Sequence, residues 1–184
     1  MKTDSLVIAP PDPSEHAPYY GRYISLVLSR DILAALSQQI HDTRALLTPL
    51  REEDGTLRYA PGKWSIKQVL GHLIDSERIF CYRALRIARG DQTPLPGFEQ
   101  DDYVRDGPFE RCRLADLVEE FSDVRKATVD FFRNLDQPAW SRQGTANENK
   151  VTVRATAYII AGHELHHRSL LKEKYLSTVH QAAG

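Results

Sequence analysis

Ser65-Ile66-Lys67-Gln68-Val69-Leu70-Gly71-His72-Leu73-Ile74-Asp75 is the stretch on which the reading of the chain turns. Serine is a good N-cap, because its hydroxyl accepts a hydrogen bond from a backbone N–H that the first helical turn leaves unmatched. Gln68, three residues on, completes a capping box. Val69, Leu70, Leu73, Ile74 and Phe80 then recur at helical spacing, and Gly90 supplies a stop. His72 falls between Leu70, Leu73 and Ile74, close to the buried face. An imidazole there either hydrogen-bonds in the core or binds a ligand.

Three more helical patterns surround this one. Ile32, Leu33, Leu36, Ile40 and Leu47 precede it, closed by Pro49. Leu114, Leu117, Val118, Phe121, Val124, Phe132 and Leu135 follow, ending before Pro138. The last begins near Thr152 and runs through Ala157, Ile160, Leu170 and Leu171 to about Tyr175. Strand evidence is thin: Tyr23 to Leu28 is the one stretch that reads as extended. The expected fold is all-α, a four-helix bundle. Residues 1–18 are Pro-rich and polar and read as an extended arm, with residues 19–184 as the bundle domain. Between Gly90 and Glu110 lies a connection of roughly 20 residues, long for a compact domain. It carries Phe98 and Tyr103, which argue for packing, and a lid over a site is its functional reading.

Composition narrows the function. The chain has 184 residues, 41% hydrophobic, enough to bury a core without metal or disulfide support. A metal here is therefore expected to be functional. The net charge of -1 leaves no field to attract nucleic acid. Cys81 and Cys112 lack CxxC spacing and read as buried free thiols. The opening apolar stretch, broken by Pro10, Pro11 and Pro13, is too short for a signal-peptide core. No run approaches the ~18 apolar residues of a membrane span. A cytoplasmic protein with no membrane partner is the expectation.

Chemistry concentrates in Gly162-His163-Glu164-Leu165-His166-His167. Residues four apart share a helix face, so His163 and His167 can aim two imidazoles at one ion. Ile160 and Leu171 continue that line into an apolar face. His166 lies only three from His163, and spacing alone leaves it open as a ligand. The letters also match H-E-x-x-H, in which Glu164 would be a general base. A protease of that kind takes its third ligand downstream, where only Glu173 and His180 are available and Arg168-Ser169-Leu170-Leu171 breaks the extended motif. The third ligand is better sought upstream, at His72. Both histidine helices carry a glycine immediately before the histidine, Gly71 and Gly162, at a cost of ~1 kcal/mol each relative to alanine. Close backbone approach beside the candidate ligands accounts for both, and simple helix–helix packing accounts for them equally well. Asp75 either faces the site as base or orienting group, or pairs with Arg78. Three neutral imidazoles suit a divalent transition metal: zinc, nickel, iron or copper. Three protein ligands leave the ion open positions, as in catalytic rather than structural sites.

Lys63-Trp64-Ser65-Ile66, Gly71-His72-Leu73-Ile74-Asp75, Ala88-Arg89-Gly90-Asp91, Leu95-Pro96-Gly97-Phe98 and Gly162-His163-Glu164 with His167 together resemble the DinB/YfiT-like metalloenzyme family, from about Tyr19 to Tyr175. The resemblance implies an up-down-down-up bundle, with the long connection between the second and third helices. It implies metal ligation by His72, His163 and His167, with nickel or zinc, and a homodimer. Some relatives transfer low-molecular-weight thiols, and a related isomerase uses a thiol cofactor.

The leading expectation is therefore a metal-dependent enzyme that joins a low-molecular-weight thiol to a small electrophile, with Arg83 or Arg86 either holding an anionic cosubstrate or facing solvent. A metal-dependent hydrolase, with Asp75 or Glu164 as base, is the alternative. A non-enzymatic metal-binding stress protein is the third reading.

Overall fold

The computed structural model describes residues 8–177. Seven helices run through it: α1 (Gly21–Ile24), α2 (Ile32–Leu47), α3 (Ile66–Ala88), α4 (Gln100–Asp106), α5 (Leu114–Arg133), α6 (Gln137–Trp140) and α7 (Val153–Leu170). A π-helical turn, Leu171–Leu176, extends α7. The four long helices are the four patterns of the sequence, and they build the bundle. Ser65 and Gln68 make the expected reciprocal cap at the start of α3. Asp31 and Thr152 cap α2 and α7 by accepting backbone N–H bonds from Ala34 and Ala155.

Helix α2 packs on α5 and α7, and α3 packs on the same two, so α2 and α3 lie across the bundle from each other. Gln39 bonds to the carbonyl of Ala161 at 3.0 Å, and Thr43 to Glu164, between α2 and α7. Arg78 meets Glu120, and Glu77 meets Arg125, both at 2.7 Å, between α3 and α5.

The apolar core comes in two halves. One gathers Leu36, Phe80, Ile87, Phe132 and Tyr158; the other gathers Leu47, Ile66, Leu70, Phe121 and Tyr175. Between them, at the level of residues 39–43 on α2 and 163–167 on α7, sits a band of buried polar groups. It contains Gln39, Thr43, Glu77, Arg125, Glu164 and the histidines. Arg125 is 1% exposed and spends its donors on Glu77 and, at 2.7 Å, on Gln39. Burying such groups is costly, and the hydrogen bonds they make with one another offset part of that cost.

The structure departs from the expectation of an all-helical chain at one place. Strands β1 (Gln143–Ala146) and β2 (Asn149–Thr152) form an antiparallel hairpin. Its turn puts Asn147 and Glu148 at φ of 50° and 63°, the left-handed region that matches the twist of a two-residue hairpin. Leu95 of the long connection joins this hairpin, with its N–H on the carbonyl of Thr145 and its own carbonyl accepting from Asn147, both at 2.9 Å. Tyr23 to Leu28, expected as extended, instead ends α1 and turns. Within the expected arm, residues 1–7 lie outside the described residues. The rest carries two short 3-10 turns, and Ile8 is buried in the core. Cys81 and Cys112 are free and only partly buried. Among the described residues, no helix is long and apolar enough to cross a membrane.

Candidate metal centre

His72 comes from the second turn of α3, and His163 and His167 from successive turns of α7. All three are buried, at 3%, 6% and 7% exposure. One donor nitrogen from each lies within 4.8 Å of the others. The Nε2 atoms of His72 and His163 face each other at 3.0 Å. Nδ1 of His167 is buried with no hydrogen-bond partner. A buried imidazole nitrogen left without a partner is costly, and a metal ion is one way to satisfy it. The rings are also held in place from outside. Ser76 Oγ lies 3.3 Å from His72 Nδ1, Trp64 packs on His72 with ring centroids 4.8 Å apart, and Tyr23 meets His163 edge-on at 5.3 Å.

Burial lowers the pKa of all three histidines, that of His72 to about 4 and those of His163 and His167 well below 6.5. Nearby imidazoles add to the effect, His166 at all three, His72 at His163 and His167, and His167 at His163. Neutral imidazole is the ligating form, so the donor set fits a divalent transition metal on charge, chemistry and spacing. His166, which spacing left open, is exposed and stands outside this group, against Tyr23.

The two glycines of the histidine helices mark close approaches. A β-carbon on Gly162 would stand 2.0 Å from the carbonyl oxygen of Tyr23, and one on Gly71 would stand 2.3 Å from the ring of Phe109. The first lets the backbone of α1 settle against α7, which brings Tyr23 to His163.

The two carboxylates considered as bases sit elsewhere. Glu164 follows His163 by one residue, so the helix turns it toward α2. There it accepts from Thr43 and lies 3.5 Å from Arg168. Its burial raises its pKa, and its Oε2 has no partner. Asp75 is half-buried 3.7 Å from Arg78, the pairing the sequence offered as its alternative, and burial raises its pKa too. Neither lines the cavity above the histidines.

That cavity measures about 440 Å³. His72, His163, Ser76 and Phe80 contribute to it from α3 and α7. Tyr19, Tyr20 and Tyr23 line it from the N-terminal segment, Phe98, Glu99 and Gln100 from the long connection, and Asn147 and Asn149 from the hairpin. None of these last eight was singled out as a site residue in the sequence. Phe98 drew notice only as a packing aromatic in a connection long enough to suggest a role, and Tyr23 only as the start of a stretch read as extended.

Comparison with known proteins agrees with this geometry. The family model of the DinB superfamily matches residues 35–171. A curated protein of Oceanobacillus iheyensis, named a "putative metal-dependent hydrolase", is 23% identical over 125 residues, which cover 67% of this chain and 71% of that protein. The structure of YfiT from Bacillus subtilis, described as "a probable metal-dependent hydrolase with an unusual four-helix bundle topology", superposes with a TM-score of 0.68 at 13% identity over 91% of this chain and 92% of its own. A mycothiol-dependent maleylpyruvate isomerase superposes with a TM-score of 0.62 at 13% identity, over 79% of this chain and 61% of that one. At such identities the structural matches speak for the fold alone. With most of its length matched by the family model, the chain belongs to the DinB superfamily.

Proposed function

We propose that the protein is a metal-dependent enzyme that transfers a low-molecular-weight thiol to a small electrophile, with His72, His163 and His167 as the metal ligands. One observation carries the reading: three neutral, buried imidazoles from two helices converge beside an open cavity, and one of their nitrogens has no other partner. Zinc or nickel is the ion this reading favours. When bound, such an ion supplies Lewis acidity that favours the thiolate over the thiol. The chain's own residues do the rest. Ser76, Trp64 and Tyr23 fix the imidazoles and keep bulk water from their edges. The tyrosines and Phe98 offer apolar walls for an electrophile, while Gln100, Asn147 and Asn149 offer amides for a polar cosubstrate. In the reaction the sulfur forms a bond to the electrophilic carbon, the leaving group departs with its electron pair, and the thiol proton passes to solvent. Glu164 and Asp75, tied to Thr43 and Arg78, are assigned no proton transfer.

The up-down-down-up order of the bundle belongs to the same reading. Residue numbers rise together where α2 meets α7, at the 39–161 and 43–164 pairs, and where α3 meets α5, at 77–125 and 81–128. They run oppositely where α2 meets α5, at 44–119 and 39–125. A homodimer is part of the proposal as well, on the strength of the family resemblance.

Hydrolysis is the second reading, favoured by the names of the Oceanobacillus and Bacillus relatives. One experiment separates the two. Zinc- or nickel-loaded protein is given 1-chloro-2,4-dinitrobenzene with and without bacillithiol, mycothiol or cysteine. Thiol-dependent release of chloride supports transfer. Turnover of ester or amide substrates with no thiol present supports hydrolysis and overturns transfer.

A further inference from the structure

Three cationic side chains are buried among the described residues: Lys67, Arg83 and Arg125. Two of them have a carboxylate. Lys67 Nζ lies 2.5 Å from Glu52, and Arg125 Nε lies 2.7 Å from Glu77. Arg83, 5% exposed, has none among the described residues. Its Nη2 donates to the carbonyl of Pro96 at 2.6 Å, and the rings of Phe80 and Phe98 each lie 5.9 Å from its guanidinium carbon. Burial pushes its pKa down, and the groups that oppose that push reduce to the phenol of Tyr20. Arg86, by contrast, pairs with Asp91.

A buried guanidinium facing only a carbonyl, a phenol and aromatic rings is expensive to keep. Its position suggests what offsets the cost. Arg83 lines an apolar recess of about 20 Å³, the size of one water. The recess shares five walls, Ala17, Tyr20, Phe80, Ala146 and Asn149, with the cavity above the histidines. Phe80 stands between the two, its ring centroid 6.0 Å from that of His163. Lys150 adds a second positive charge at the recess, while Glu99, the carboxylate of the larger cavity, is exposed and does not act on Arg83.

We propose that Arg83 anchors a carboxylate of the small molecule that this cavity takes, with the molecule lying over Phe80 and its reactive end toward the histidines. The inference rests on the reading of the cavity as a substrate site. The planar guanidinium matches a carboxylate's two oxygens. The recess alone holds one water, so the carboxylate would reach Arg83 from the larger cavity, across the walls the two share. The substrate class is thus a short carboxylic acid.

Binding, rather than turnover, tests this, so a failed transferase assay leaves the result readable. Benzoate and its neutral analogue benzamide are titrated calorimetrically into zinc-loaded protein and into Arg83→Met. The wild type is expected to bind benzoate at least about tenfold more tightly than benzamide, and the variant to lose that preference while benzamide binding stays unchanged. The variant's melting temperature is expected to hold or rise, because an apolar side chain replaces a charge without a counter-ion. A structural role for Arg83 would lower it instead. Arg83→Gln, whose amide keeps a donor for Pro96, carries the same binding expectation should Arg83→Met fold poorly. Equal binding of the two probes by wild type overturns the proposal. So does a benzoate preference that survives either variant, since the carboxylate would then sit on the metal.

Discussion

The carbonyl oxygen of Tyr23 occupies the space beside Gly162, 2.0 Å from where a β-carbon on that residue would stand. The contact is with backbone, which cannot swing aside as a flexible side-chain end would. It sits one residue before a proposed metal ligand and fixes the segment whose ring packs on His163. Alanine at 162 would gain ~1 kcal/mol of helix propensity and meet an overpacking cost of ~1–3 kcal/mol or more. Gly162→Ala is therefore expected to lower stability on balance and to loosen Tyr23. Urea denaturation reads the first effect, and Tyr23 ring shifts in NMR spectra read the second. An unchanged or raised midpoint would count against the close approach.

The band of polar groups across the bundle's waist makes a second expectation. Glu77→Leu leaves Arg125 buried without its counter-charge, at an expected cost of ~3–5 kcal/mol. The double variant Glu77→Leu with Arg125→Met removes both charges and is expected to recover most of that loss. Equal destabilisation by the single and double changes would show that packing, and not the charge, carries the penalty.

Glu15 gives a pH dependence whose direction is fixed. Its carboxylate accepts from Thr152 and from Arg154 Nε, both at 2.7 Å, and Arg154 first, with the Asp12 N–H and Thr152 hydrogen bonds, outweighs the opposing effect of burial and brings its pKa from 4.5 to about 2. The folded form binds the proton less readily than the unfolded form, so this clamp on the start of α7 is intact above pH 4.5. It weakens as pH falls from about 4.5 toward about 2. Glu15→Gln is expected to cost ~1–3 kcal/mol at pH 7, with the two proteins converging near the bottom of that window. Thermal melts at a series of pH values check it, and a constant difference across the range would refute the assignment.

How much was legible in the sequence follows from which forces are local. The four long helices stood out because caps and 3.6-residue periodicity are written along the chain, as at Ser65 with Gln68. The His163 and His167 pair was legible for the same reason, since one helix sets both positions. His72 was reachable because an imidazole in an apolar face needs an explanation. The hairpin was not legible: Gln143-Gly144-Thr145-Ala146 has no apolar alternation, and Leu95, some fifty residues away, helps to hold it. The cavity walls were hidden likewise, because Tyr20, Phe98 and Asn149 come from three segments that only the fold brings together. Arg83 and Arg86 were alike in the sequence, each a cosubstrate holder or a solvated charge, and only packing reveals that Asp91 meets Arg86 while no carboxylate among the described residues meets Arg83.

Metal content tests the centre most directly. His72, His163 and His167 each supply one donor to a group with no fourth histidine in reach among the described residues. Removing one leaves two imidazoles, and affinity for zinc or nickel should fall by orders of magnitude. Elemental analysis of His72→Ala, His163→Ala and His167→Ala is therefore expected to find little metal after dialysis against a weak chelator. His166→Ala, exposed and outside the group, should retain it. Far-UV circular dichroism guards against misfolding, since the helices close their hydrogen bonds without the imidazoles. Full metal retention by His72→Ala would place the ion on α7 alone and break the link between the two helices. Loss on His166→Ala instead would move the centre to the solvent side of α7, beneath Tyr23.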